Sequence, residues 1–399
     1  KERKGSDRML NQKLIDEEYG FLGDAIFLNV SQVVMPPKRV QDAYRRFMDD
    51  YVANFGMDVV SRAWDIVNNA RPKLQKLIGA KESHEIAFVK NTAEGISILA
   101  NGLTYHEGDN IVIADQEHQS VLFPWIAVHE RYGVELKVVK SVNREIPTED
   151  MIAAIDEHTR VLIVSAVQFS TGFCSDLKRL GEACQEKGVI FAVDGIQALG
   201  RLKLNVKELN IDWLAAGSNK GLLGTLGAGF IYCSDRIVQD IIPCYAGYQS
   251  TVSHVAPPSI TTEFDHLEWY PHARRFESGN LSYNCIEAIS NGVDLILELG
   301  IKNIDAHIRK LEKHLREQSS DLSLPVVQAE DEKHWGGVIC VYYPAEHEDD
   351  VVRILQSHNI YCTMRGGYIR FGLEFYNTLE QMDIVSAALH EIDAINKEK

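Results

Sequence analysis

Several large classes of protein are excluded by what this chain does not contain. No apolar run approaches the roughly 20 residues that a membrane-spanning helix needs, so an integral membrane protein is not expected. The seven cysteines, at 174, 184, 233, 244, 285, 340 and 362, include no C-x-x-C pair and follow no regular spacing. That argues against a zinc site and a disulfide framework, and predicts reduced thiols in a cytoplasmic protein. Positive charge is also short: 41 Lys and Arg stand against 57 Asp and Glu, a formal net charge of −16. Nucleic acid and anionic membrane both need clustered cations, so neither is expected as a partner. There is no internal repeat and no low-complexity tract. The opening "KERKGSDRML" has charges but no apolar run behind it, which predicts a loose N-terminal tail and no signal peptide. The N-x-S triplets at Asn29 and Asn280 therefore carry no expectation of glycosylation.

What is present is an ordinary globular composition, 45% apolar and 25% charged. Short apolar runs alternate with helical patterns: "EIAFVK", "NIVIAD", "ELKVVK", "RVLIVSAV", "VIFAVD", "IDWLAAG" and "GAGFIY". Runs of this length between helices suit strands buried on both faces of a mostly parallel sheet sandwiched by helices, an α/β fold. "LKRLGEAC" has helical spacing and Gly188 as its C-cap, a crossover between two such strands. From about residue 285 a long helical stretch broken at Gly300, a few strands and further amphipathic helices read as a smaller α+β domain. The expected division is a 1–25 N-terminal segment, a 26–275 large domain and a 276–399 small domain.

Open parallel sheets bind ligands at the carboxyl ends of their strands, and polar residues gather there in this chain. Asp194 ends the strand in "FAVDGIQALG", and Lys220 follows "IDWLAAGSN". The two either form a structural salt bridge or face one ligand. A desolvated lysine loses proton affinity and its neutral amine can attack a carbonyl, which makes Lys220 a candidate Schiff-base lysine. Were that carbonyl pyridoxal phosphate, Asp194 could keep the ring nitrogen protonated, and Gln197 could donate to the phenolic oxygen. Thr92 and Ala93 open a helix whose amides and dipole favour a phosphate, although Asn91 or Thr92 also reads as a plain N-cap. Ser218 is placed near the same phosphate. His118, just past "NIVIAD", either stacks on a flat ring or is an ordinary loop histidine. The glycines after Lys220 lead into a strand and form no dinucleotide fingerprint.

Taken in order, "NTAEGI", "EHQSVLFPW", "VDGIQALG", "GSNKGLLGTLGAGFIY", "RRFESGN" and "IRFGLEFYNT" resemble the class V aminotransferase and cysteine desulfurase group of fold-type I pyridoxal-phosphate enzymes. The resemblance runs from about Ile26 to near the C-terminus. It implies that Lys220 bonds to the cofactor aldehyde, Asp194 pairs with the pyridine nitrogen, Gln197 bonds the phenolic oxygen and His118 stacks on the ring. Thr92, Ala93 and Ser218 would hold the phosphate. Arg370 would grip the substrate α-carboxylate, with Arg365 as a second substrate-binding arginine; the plain alternative for Arg370 is a surface strand residue. It further implies a homodimer with shared active sites, "RRFESGN" being the segment that crosses over.

Three places depart from the family pattern. Asn219 stands where a histidine usually precedes the lysine. Asn280 follows Gly279 where a threonine usually reaches the partner's phosphate, and is kept as a cofactor-binding candidate. The segment "CTMRGGYIRF" leaves almost no loop for a persulfide-forming cysteine, and Cys362 reads as a packed thiol. The expected function is therefore a C–S lyase acting by β-elimination on an α-amino acid, with Lys220 as general base at Cα. Aminotransferase, epimerase and a desulfurase using a displaced cysteine remain as alternatives. A non-catalytic protein of the same fold would have shed Lys220 or Asp194, and both are present.

Overall fold

The computed structural model describes residues 10–252, 267–327 and 329–397. The tail expected at the N-terminus lies outside these up to residue 9. From Asn11 onward the segment is helical: Asn11 accepts from the Leu14 amide and starts α1 (Gln12–Tyr19). Tyr19 closes that helix against Phe375 and Tyr376, so this stretch is docked rather than loose. Next come a two-residue strand β1 (Ile26–Phe27) and two long helices, α2 (Lys38–Ala53) and α3 (Val59–Ile78).

The seven apolar runs form one sheet. In chain order they are β2 (Ile86–Val89), β3 (Asn110–Ala114), β4 (Glu135–Val139), β5 (Thr159–Ser165), β6 (Ile190–Asp194), β7 (Trp213–Gly217) and β8 (Gly229–Cys233). Their spatial order is β2-β8-β7-β6-β5-β3-β4. Only β8 runs against its neighbours; β7-β6-β5-β3-β4 pair in parallel. Because successive side chains point to opposite faces, each strand feeds two cores. Phe88, Leu162, Phe191, Leu214 and Phe230 face one, with Leu74 of α3. Ala87, Ile163, Trp213 and Ile231 face the other. There they meet α4 (Thr92–Gly102) and α5 (Gln119–Tyr132) through Leu99 and Trp125. Each large apolar side chain buried this way contributes about 1.5–3 kcal/mol over its exposed state.

One strand departs from the expected burial. β4 is one edge of the sheet and is half-exposed along its length, whereas β2 at the other edge is fully buried. After a short α6 (Thr148–Ala153), the crossover helix is α7 (Leu177–Lys187), capped by Asp176 at its start and by Gly188 at φ 71° at its end.

Beyond β8 come α8 (Tyr283–Leu299) and α9 (Ile301–Gln318), separated at Gly300, where φ is 83°. A smaller antiparallel sheet, β12-β13-β10-β9, follows, from β9 (Val326–Val327), β10 (Val338–Tyr342), β12 (Thr363–Arg365) and β13 (Tyr368–Gly372). It is flanked by α10 (Glu348–Ser357) and α11 (Leu379–Lys397), while β11 (Ile360–Tyr361) pairs in parallel with β1. We propose a large and a small unit along the expected lines, 26–275 and 276–399, with α8 as the helix that fastens them. It packs against α2 and α3, and its Gly292 lies so close to Leu222 that an added Cβ would sit 2.5 Å from the Leu222 carbonyl oxygen. Arg201, fully buried, makes a second tie by donating to the carbonyls of Gln197, Gly337 and Leu373.

Candidate active site

The carboxyl ends of β2, β3, β5, β6 and β7 converge, and the site lies there. Asp194 is the last residue of β6 and is buried. Its Oδ1 accepts from the Ile196 amide at 2.9 Å. Burial pushes its pKa up to about 6, against the pull of that amide and of Lys220. Lys220 follows β7, and burial lowers its amine to about 8, opposed by Asp194 and reinforced by Arg370, Arg201 and Arg365. Each residue thus feels the other's charge. Yet no Asp194 oxygen comes within 4.0 Å of Lys220 Nζ among the described residues, so the salt-bridge alternative is not what the structure contains.

Two glycines hold these strand ends in register. Gly200, after β6, has φ 82°, and a Cβ there would lie 1.9 Å from the Gly221 carbonyl oxygen; a Cβ on Gly221 would lie 2.3 Å from that of Leu199. Only residues without a side chain let the backbone behind Asp194 touch the backbone behind Lys220.

Thr92 opens α4 with Asn91 as its cap, and Asn91 Oδ1 accepts from the Glu94 amide at 2.9 Å. Thr92 and Ala93 are the first two helical residues, whose amides have no acceptor within the helix. Thr92 Oγ1 accepts from the Gly217 amide at 2.9 Å, which leaves its hydroxyl hydrogen to be donated. The Ser218 hydroxyl is turned toward other partners. It lies 2.7 Å from the Thr225 carbonyl and 2.8 Å from that of Ala228, and its single hydrogen goes to one of them. Asn219 Oδ1 would be 3.2 Å from a Cβ on Gly217, in the same corner as Thr92. Asn280 lies apart from Lys220 within the chain, its Oδ1 accepting from the Tyr248 hydroxyl at 2.6 Å.

His118 caps α5, Nδ1 accepting from the Ser120 amide at 3.1 Å, with its ring edge-on to Phe169 at 4.8 Å. Burial lowers its pKa, helped by Lys220, Arg365 and Arg370. Its neighbour Glu117 is a site residue that sequence reasoning missed. It accepts from the Ser165 amide at 2.9 Å and from Gln168 Nε2 at 2.7 Å, and contacts the Ser165 hydroxyl. Burial lifts its carboxyl to about 7, and Asp194 adds to the effect. The available signal was a Glu-His pair directly after a buried strand.

Several buried polar atoms here lack a partner: Gln197 Oε1, Gln168 Oε1, Gln116 Oε1, Ser31 Oγ and Arg370 Nε. Gln197 spends one N–H on the Ser31 carbonyl, 2.9 Å away. Such atoms are costly to bury unsatisfied. Three of them, on Gln116, Gln168 and Gln197, follow β3, β5 and β6; with a poised amine, a buried carboxylate and a helix start, they fit a flat, phosphorylated, nitrogen-bearing aldehyde. Arg370, buried on β13, donates Nη1 to the Phe169 carbonyl at 2.8 Å, and Arg365 lies over the Phe169 ring at 5.2 Å. Phe169 therefore joins both arginines to His118.

Comparison with known proteins gives the same picture. A "probable cysteine desulfurase" of Methanothermobacter thermautotrophicus is 29% identical over 392 residues, covering 93% of this chain and 95% of that one. The apo structure of a cysteine desulfurase from Thermococcus onnurineus NA1 superposes with a TM-score of 0.86 at 23% identity, covering 98% of this chain and all of that one. The cystine C–S lyase C-DES, solved with its product cysteine persulfide, gives 0.84 at 20% identity over 94% of this chain and all of its own. A mutant of C-DES has also been solved with glycine covalently linked to its PLP cofactor. The aminotransferase class-V family model matches residues 28–385, and the chain belongs to that family.

Proposed function

We propose that the protein is a pyridoxal-phosphate-dependent enzyme that cleaves the C–S bond of a cysteine-like α-amino acid by β-elimination. Family membership and the orphaned polar atoms around Lys220 support the cofactor. Pyridoxal phosphate supplies an aldehyde that condenses with amines and a ring that takes up the electron pair of a broken bond at Cα. Lys220 would hold the aldehyde and, once displaced from it, would take the Cα proton on Nζ, a role that an amine near pKa 8 can serve around neutral pH. Asp194 would hold the proton at the ring nitrogen, His118 would flank the ring, and Gln197 has a second N–H that it would give to the phenolic oxygen. Thr92 and Ala93, with Asn219 in place of Ser218, bind the phosphate. Arg370 orients the substrate by its α-carboxylate.

The observation that favours elimination over sulfur transfer concerns the cysteines. Between β12 and β13 only Gly366 and Gly367 intervene, so this connection is too short to carry a thiol toward Lys220. Cys362 lines a separate cavity with Phe27 and Asn29, and burial pushes its thiol up to about 12. The second reading is a cysteine desulfurase, the name of the Methanothermobacter relative. It would need Cys340, which lines the cavity beside Arg370. That thiol donates to the Ser170 carbonyl at 3.3 Å and is pushed up to about 11 by burial, which suits a packed residue better than a nucleophile.

The working unit in this reading is a homodimer. Met48, Tyr51, Val52, Phe55, Met57 and Trp64 expose apolar surface, Phe55 at 92% and Met57 at 84%. Tyr51, Trp64, Tyr248 and Asn280 line one groove, which supports Asn280 reaching the phosphate of a second copy. No helix among the described residues is long and apolar enough to cross a membrane. The seven free cysteines favour a cytoplasmic setting.

The test is to supply L-cysteine, its S-alkyl derivatives and L-cystine to the holoenzyme. Pyruvate, ammonium and a thiol or persulfide with the cofactor still an aldehyde support elimination. Pyridoxamine phosphate with a keto acid would make the enzyme an aminotransferase, and a persulfide on Cys340 would make it a desulfurase.

A further inference from the structure

Among the described residues, the cavity beside Arg370 is walled by three guanidiniums and by no carboxylate. It holds about 360 Å³, and Arg144, Arg365 and Arg370 line it with Gln116, Phe169 and Tyr368. Two of the arginines belong to one hairpin, at the end of β12 and the middle of β13, and the third comes from the distant turn before α6. Each is steadied by a contact that leaves its charge uncompensated. Arg365 lies over the ring of Phe169, and Arg370 bonds the Phe169 carbonyl while its Nε is buried without a partner. Arg144 lies 4.9 Å over the ring of Tyr368, the residue that pairs with Arg365 across β12 and β13. None of the three has a carboxylate within 4.0 Å among the described residues. Glu145, next to Arg144 in sequence, is turned onto the Glu330 amide at 3.0 Å.

In a chain of net charge −16, three cations gathered around one cavity concentrate a field that attracts anions. One α-carboxylate occupies a single planar fork. With Arg370 so engaged, the forks of Arg365 and Arg144 remain on the same cavity.

We infer that the substrate is an α-amino acid whose side chain ends in a second oxyanion, bound by Arg365 and Arg144 while Arg370 holds the α-carboxylate; this rests on the role proposed above for Arg370. Combined with C–S elimination, it makes the departing fragment a thiol that is itself an acid. The reaction is RS–CH2–CH(NH3+)–COO− plus water giving RSH, pyruvate and ammonium. The Cα–H and Cβ–S bonds break, the Cα proton passes through Lys220, sulfur leaves with its bonding pair and is protonated, and hydrolysis releases the nitrogen. No oxidant or reductant is required.

Two unreactive probes of equal shape isolate the second charge: succinate, a dianion, and succinamate, which replaces one carboxylate by an amide. Calorimetric titration of the holoenzyme at low salt should show succinate binding about ten- to hundredfold more tightly, the range for a hydrogen-bonded charge pair. Arg365→Gln should bring that ratio close to one without weakening succinamate, and Arg144→Gln should lower it in part. Both side chains are exposed, so neither variant is expected to disturb folding. In turnover, S-carboxymethyl-L-cysteine should outperform S-carbamoylmethyl-L-cysteine in kcat/KM by a similar factor, with the difference lost in Arg365→Gln. Equal affinity for the two probes in the wild type overturns the inference and leaves Arg370 untouched. Failure of both probes to bind a fully loaded holoenzyme overturns the role of Arg370 as well. A preference for succinate in an enzyme that only transaminates sustains the inference and removes the elimination reading.

Discussion

Lys220 and Asp194 are buried within reach of each other's charge without forming an ion pair. Each shifts the other's proton affinity, yet no ion pair closes the gap between them. An ion pair would have fixed the lysine as a permanent cation. The separation keeps it near the point at which an amine becomes a nucleophile and a base.

The rate at which cofactor-free protein takes up pyridoxal phosphate should therefore depend on pH. Only the neutral amine attacks an aldehyde, and burial sets Lys220 at about 8. The rate should rise about tenfold per pH unit below that value and level off above it. Stopped-flow absorbance follows this directly, and a flat profile from pH 6 to 9 would remove the case for a lowered lysine.

Asp194→Asn should separate stability from activity. The carboxyl has a folded pKa of about 6 against its ordinary 3.8, so the folded cofactor-free protein binds this proton more tightly than the unfolded chain. Its contribution is greatest below pH 3.8, falls as pH rises to about 6 and stays low above. The variant should stabilise the cofactor-free protein at pH 7 by on the order of 2–3 kcal/mol, a gain that fades toward pH 4. Turnover should fall by several orders of magnitude. Chemical denaturation at both pH values checks the sign.

Thr92→Ala and Ser218→Ala should behave differently although both remove one hydroxyl. Thr92 has a hydrogen to give to a phosphate, so its loss should weaken cofactor affinity by about tenfold or more. Ser218 gives its hydrogen to a buried carbonyl, and its loss should cost about 1–3 kcal/mol of stability with a much smaller effect on the cofactor dissociation constant. Equilibrium dialysis and thermal melts on the same samples tell the two apart.

Gly200→Ala tests the register of the site from behind. The new methyl would collide with the Gly221 backbone at a φ of 82°, which L residues rarely adopt. The cost should be about 3–5 kcal/mol. A surviving fold should show Lys220 displaced from Asp194 as a slower reconstitution. An unchanged melting temperature would mean that the two loops part easily.

Much of this architecture was legible because burial on both faces leaves an unbroken apolar run. Six of the seven runs in the main sheet are interior strands or are covered on both faces. "ELKVVK" read the same way but is an edge, because its position in the spatial order of strands is a tertiary fact. Lys220, Asp194 and Thr92 stood out for one reason: each is a polar group where an apolar strand stops or a helix starts. Ser218 shared that position, but which way a hydroxyl turns at a strand end depends on the carbonyls of the returning loop. Arg144 gave no signal at all. It belongs to a turn more than two hundred residues from Arg365, and only the folded chain puts them around one cavity.

The pairing of Ile26 with Ile360 has a consequence for how the molecule is made. Thr363, two residues before Arg365, contacts Asn29 and Gln32, groups that a ribosome would have released more than three hundred residues earlier. Contacts so far apart in sequence are the slowest to form and the last to reward the loss of chain freedom. The main sheet can assemble while synthesis continues. The arginine wall cannot, and a nascent chain halted before residue 365 would lack two of the three guanidiniums that line the cavity.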